Sequence, residues 1–215
     1  MVRALVVIQG INSKQGYLYN DVLTDTRLTK YYDKIIDIPT EKYFDLHKPW
    51  PLRLIGKWGD SLSDIWEFYT RNDSRIGVCR ESREQIQKLQ GLGYEVDILA
   101  HSLGTVIALC CGPNSPGNPV LVNRVVLLES PLGIGNLIAR MKTCSHTERY
   151  SKNFTAKELY YTWSEEDFVS QKFTGRINDI LIYKSIGRPA IFHTGLGHSS
   201  SDNLDYFLNT TETYK

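Results

Sequence analysis

The sequence predicts an α/β fold built as a three-layer sandwich, a mainly parallel sheet of about six strands with helices on both faces. Three observations carry that expectation. Short runs rich in Val, Ile and Leu recur between longer mixed segments, as in strands buried on both faces. Residues 96–109 pass from an apolar strand into an apolar helix through Ala100-His101-Ser102-Leu103-Gly104. The chain has 215 residues, 41% of them hydrophobic, which suffices for one core and is short for two, so residues 1–215 are expected to form a single domain.

Taken in order, the expected strands are residues 4–8, 34–38, 95–99, 122–128, 159–163 and 189–193. Residues 76–92 place Ile76, Ile86 and Leu89 among charged residues, the pattern of a surface helix, and Gly91 and Gly93 should end it. Residues 201–209 suggest a closing helix with Leu204, Phe207 and Leu208 on one face. Residues 114–119 have loop chemistry, and residues 133–157 form a longer excursion, a candidate cap or lid. Residues 43–69 are rich in aromatics, including Trp58 and Trp66. They fit either core packing or the wall of an acyl pocket, and Trp58 and Trp66 are candidate substrate contacts.

Charge and composition remove several classes of function. The net charge of +1 comes from 25 basic and 24 acidic residues with no run of like sign, so nothing argues for nucleic acid or an anionic membrane. No apolar stretch reaches the about 20 residues needed to cross a bilayer, and the N-terminal run is too short for a signal peptide. Cys79, Cys110, Cys111 and Cys144 have neither zinc-site spacing nor the density of a disulfide scaffold. They read as free thiols, which suits a cytoplasmic location. No metal motif or phosphate-binding loop occurs, and Gly133-Ile134-Gly135 and Gly195-Leu196-Gly197 are better explained as turns than as dinucleotide sites.

The chemistry concentrates at Ser102. A serine on a sharp strand-to-helix turn is lifted above the sheet, and the flanking elements approach so closely that only small residues fit nearby, as Ala100 and Gly104 do. The helix that follows aims its N-terminal N–H groups beside that serine, with Leu103 N–H as the first donor to an oxyanion. His101 is adjacent to Ser102 and on so tight a turn is expected to point away from it; it is nevertheless counted, with Gly10, among residues expected to border the substrate.

On these residues the sequence resembles the α/β-hydrolase superfamily, and the Ala-His-Ser-Leu-Gly form is similar to its lipase and esterase branches. Ala100 and Thr105 stand where that family often has glycine. The resemblance implies the chain order nucleophile, acid, histidine. Asp167, followed by Val169 beyond the strand at residues 159–163, then becomes the acid, ahead of Glu165 and Glu166. His198, delivered by a turn containing Gly195 and Gly197, becomes the base in preference to His193. Family position adds Ile11 N–H as second oxyanion donor, with Gly10 letting the backbone approach the substrate, and implies a sheet without the family's first two, antiparallel strands.

The expected activity is hydrolysis of carboxylic esters, acyl esters or small lipids, through an acyl-enzyme on Ser102, with His198 as general base, Asp167 orienting it and no metal or organic cofactor. An acyltransferase or thioesterase using the same residues, and a catalytically silent binding module, are the alternatives.

Overall fold

Alternation along the first apolar run decides the layering. In the computed structural model, which describes residues 2–10, 17–40, 72–110, 120–130, 154–164, 166–167 and 190–214, β1 (Arg3–Ile8) is buried along almost its whole length. Ala4, Val6 and Ile8 face one side, and Leu5 and Val7 face the other. Strands β2 (Lys34–Ile38), β3 (Glu95–His101), β4 (Val120–Leu128), β5 (Phe154–Trp163) and β6 (Ala190–His193) complete a six-stranded sheet in the order β2-β1-β3-β4-β5-β6. Every neighbouring pair is parallel, so among the described residues there is no antiparallel pair.

Helices cover both faces. On one, Ile86 and Leu89 of α3 (Asn72–Gly91) and Leu103 and Ile107 of α4 (Leu103–Cys110) pack over Ala4, Val6, Ile98 and Val125. On the other, α1 (Tyr17–Thr24), α2 (Thr26–Tyr31) and α5 (Ser200–Thr210) bring Leu18, Leu28, Leu204 and Phe207 onto Leu5, Val7, Leu99 and Val126. Helix α3 ends at Gly91. Gly93 follows at φ +84, where an L side chain would be strained, and the Gly93 and Tyr94 N–H groups donate to the carbonyls of Gln90 and Leu89.

Two features depart from the sequence expectation. Helices α1 and α2 are additional: α1 buries only Leu18 and Val22 and α2 only Leu28, too few apolar positions to show as a period. The second is set by capping, with the Asp25 carboxylate accepting from the N–H groups of Arg27 and Leu28. Strand β5 begins at Phe154 rather than residue 159, because Lys157 and Glu158 are exposed polar positions that mask the strand pattern. Residues 154–157 of the expected excursion therefore belong to the sheet. Its remainder lies outside the described residues, as do the loop at residues 114–119, the aromatic segment 43–69, Cys111, Cys144 and the side chains of Cys79 and Cys110.

A buried polar cluster ties the C-terminus to the sheet. Arg124 of β4 donates to Asp97 at 3.2 Å and to Glu158 at 2.8 Å. The Tyr32 hydroxyl donates to Asp97 at 2.7 Å and lies 3.0 Å from that of Tyr214, in the terminal 3-10 turn Glu212–Tyr214. Each buried charge is paired, as a low-dielectric interior requires. The cluster lies roughly 16 Å along β3 from Ser102, at about 3.3 Å per residue, and leaves the carboxyl ends of the strands to other chemistry.

Candidate active site

Strand β3 ends at His101 and α4 begins at Leu103, which leaves Ser102 alone between them at φ +53. That left-handed conformation is costly for a residue with a Cβ and persists only where the surroundings impose it. Here the Ser102 N–H donates to the Leu128 carbonyl at 3.0 Å, and the Ser102 carbonyl accepts from the Thr105 N–H at 3.0 Å. The Thr105 hydroxyl lies 2.6 Å from the same carbonyl and 2.5 Å from Ser130 Oγ, so this residue, where glycine is common, locks the turn to the end of β4.

Small residues make room for the turn. A Cβ on Gly104 would overlap the Ile8 carbonyl oxygen and lie 2.6 Å from that of Gln9; one on Gly10 would lie 2.8 Å from Ser102 Cβ. Ala100 is fully buried between Ile8 and Leu127 in the strand register. Leu103 opens α4, and the first N–H groups of a helix have no intrahelical acceptor. Ile11, the other expected oxyanion donor, lies outside the described residues, as do Trp58 and Trp66.

Two residues distant in sequence converge on Ser102. His198 Nε2 is 2.8 Å from Ser102 Oγ, and His198 Nδ1 is 2.8 Å from Asp167 Oδ2. Asp167 is fully buried, whereas the His198 side chain keeps 22% exposure, enough to meet a ligand. With Nδ1–H donating to the carboxylate, Nε2 presents its lone pair to the serine O–H. The loop carrying His198 turns at Gly195, φ +64, and is held by Asn203, whose amide donates to the carbonyls of Gly197 at 2.8 Å and Ser199 at 2.9 Å. Ser199 caps α5, which Phe207 anchors by edge-on ring contacts with Tyr160 and Phe192. Of the competing groups, Glu166 and His193 are exposed, the latter's carbonyl accepting from the Tyr206 hydroxyl, and Glu165 lies outside the described residues.

His101 does not turn away. Its ring sits 4.9 Å from that of His198, its buried Nε2 has no partner among the described residues, and burial, aided by His198, pushes its pKa down to about 3. The tightness of the turn governs the Ser102 backbone but leaves the preceding side chain free to lie beside the loop after β6. His101 and His198 border a cavity of about 310 Å³ that Gln9, Gly10, Tyr17 and Asp21 also line. The Gln9 amide donates to both Asp37 carboxylate oxygens at 3.0 Å, which fixes the cavity wall at the end of β1. Sequence reasoning missed Glu129, directly after β4, which is 1% exposed, has φ +45 and lies near enough to Asp167 for the two carboxyl groups to influence each other's ionisation. Its one sequence signal is a carboxylate at the carboxyl end of the strand beside the one that carries Ser102.

The arrangement can move a proton from the serine hydroxyl to an imidazole backed by a buried carboxylate. Among the described residues no cluster could hold a metal ion, and no helix is long and apolar enough to cross a membrane. No family model and no curated protein matches the chain. Solved structures do match in shape. The protein TT1662 of Thermus thermophilus has a TM-score of 0.58 at 12% identity, covering 98% of this chain and 90% of that one. A protein of Xanthomonas campestris described as a hydrolase of the alpha/beta superfamily has a TM-score of 0.54 at 14% identity, covering 97% and 99%. The esterase PE8 has a TM-score of 0.55 at 13% identity, covering 96% and 91%. At such identities the likeness is one of fold, and that fold is the α/β-hydrolase sandwich.

Proposed function

We propose that this chain, with its α/β-hydrolase fold, is a serine hydrolase that cleaves carboxylic esters through an acyl-enzyme. One observation carries the reading: the unbroken hydrogen-bonded path from Asp167 through His198 to Ser102, with both links at 2.8 Å. As the Ser102 oxygen attacks the ester carbonyl, His198 Nε2 takes its proton and later returns it to the leaving alcohol. Asp167 holds the imidazole in the right tautomer and stabilises the imidazolium. Leu103 N–H, at the positive end of α4, with Ile11 N–H as partner, receives the negative charge of the tetrahedral oxygen. Water resolves the acyl-enzyme by the same steps in reverse order.

Two surrounding features support this assignment. His101, held neutral beside His198, adds no like charge when His198 becomes an imidazolium. The cavity of about 310 Å³ is lined on its described side by Gln9, Tyr17 and Asp21 as well as His101. It opens beside the His198 imidazole, which gives a small ligand a place next to the base. A fluorophosphonate probe tests the assignment: native protein should be labelled stoichiometrically, with the adduct on the peptide containing Ser102. An adduct on any other residue, or none under native conditions, removes Ser102 as nucleophile.

A further inference from the structure

The described residues include two non-glycine positions at positive φ, Ser102 and Glu129. They stand at the carboxyl ends of adjacent strands, β3 and β4. Strain of this kind persists where the surroundings over-determine it, and at Ser102 the reason is already plain. At Glu129 the strained backbone turns a carboxyl group into a site with 1% exposure, against the carboxylate of Asp167. Among the described residues no cation pairs with it. The Thr194 hydroxyl donates to Oε1 at 3.4 Å, and the Glu129 N–H donates to Thr162 Oγ1 at 3.2 Å. Oε2 is buried, and among the described residues no donor reaches it.

We propose that Glu129 is a positioning residue of this site, kept as the neutral acid, whose Oε2–H donates to Asp167 and fixes that carboxylate behind His198. The proton resolves two difficulties together. It gives the buried, otherwise unpartnered Oε2 a hydrogen bond to make, and it removes the repulsion of two carboxylates in one dry pocket, where one must stay protonated. Asp167 takes the charge because it faces the His198 ring, with the neutral His101 ring beyond; among the described residues Glu129 meets Asp167 and the hydroxyls of Thr162 and Thr194. Burial first, then Asp167, pushes the Glu129 pKa up to about 9.

This inference rests on the catalytic reading of Ser102, His198 and Asp167, and its test separates the two. Ionisation of Glu129 replaces an O–H donor with a second anion, so activity should fall as pH passes about 9. Glu129→Gln keeps a donor and cannot titrate; Glu129→Ala has none. In ester hydrolysis between about pH 6 and about pH 10.5, Glu129→Gln should stay within about threefold of the parent kcat near neutrality and lack the alkaline fall. Glu129→Ala should lose about ten- to hundredfold in kcat with KM little changed, as removal of an outer partner of a catalytic ligand does.

Stability gives a readout independent of turnover. A folded pKa raised from 4.5 to about 9 means that the native state keeps a proton the unfolded chain releases. The contribution is complete below about pH 4.5 and is lost as pH rises toward about 9. The parent melting temperature should therefore decline across that window more steeply than that of Glu129→Gln. The proposal is overturned if Glu129→Gln retains both the alkaline fall and the parent slope of stability. A parent protein with no ester hydrolysis overturns the catalytic reading and the positioning role with it, while the melting slopes still decide whether Glu129 holds the proton. Should Glu129→Ala fail to fold, the comparison with Glu129→Gln decides alone.

Discussion

Ser102→Ala is expected to lower kcat for a short p-nitrophenyl ester by a thousandfold or more, with KM changed by less than about threefold. A factor of a thousand corresponds to about 4 kcal/mol of transition-state stabilisation, a reasonable minimum for loss of a nucleophile whose base is already in hydrogen-bond contact. The contact at stake is the 2.8 Å approach of His198 Nε2 to Ser102 Oγ. Alanine keeps the Cβ that fills the turn and removes only the hydroxyl, so the fold should survive. A melting temperature close to the parent's would show that the loss is chemical. Rates from parent and variant on the same ester decide the matter, and a variant retaining a tenth of the parent kcat would place the nucleophile elsewhere.

The second large effect is on stability. Gly104→Ala should destabilise the protein by about 3 kcal/mol, the upper part of the usual range for overpacking. The added methyl would overlap the Ile8 carbonyl oxygen, and the Gln9 oxygen and the Ile8 carbonyl carbon, at 2.6 and 2.8 Å, close the way out. Strand β1 cannot yield, since it is hydrogen-bonded to β2 on one side and β3 on the other. Alanine's better helix propensity returns less than about 1 kcal/mol. At about 2–4 °C per kcal/mol for a chain of this size, the melting temperature should drop by roughly 6–12 °C. Gly91→Ala is the matched control: nothing lies within 4 Å of a Cβ there and its φ is not positive, so that variant should melt at or slightly above the parent. Equal melting of the two variants would contradict the close approach of α4 to β1.

What the sequence makes legible follows from how each feature is encoded. All six strands stand out through short clusters of apolar residues, clearest in β1, which is buried along almost its whole length and whose apolar run needs no partner to be recognised. Ser102, Ala100 and Gly104 are legible together because one steric demand selects all three. Asp167 and His198 emerge through the chain order and turns that the family resemblance implies, and the structure brings both to Ser102. Helices α1 and α2 are illegible because their hold on the sheet depends on one or two buried side chains each and, for α2, on a cap. The start of β5 is hidden by polar residues, one of which, Glu158, pairs with Arg124 across the strands.

The remaining differences concern side chains whose roles exist only in three dimensions. His101 beside His198 depends on how the loop after β6 folds over the elbow. Glu129 reads in sequence as a polar residue ending a strand; that it meets Asp167 depends on a positive φ that no residue pattern announces. The Thr105 hydroxyl, bridging the Ser102 carbonyl and Ser130, is a third such case.

The most direct test of the account is to trap the covalent intermediate. The protein is mixed with excess p-nitrophenyl acetate, quenched in acid within the first turnovers, digested and weighed by mass spectrometry. The account predicts one acetyl group on the peptide containing Ser102, formed at the rate of the initial p-nitrophenol burst and absent from Ser102→Ala. Turnover of the ester with no acylated Ser102 peptide at any quench time, or with the acetyl group on another residue, would contradict it.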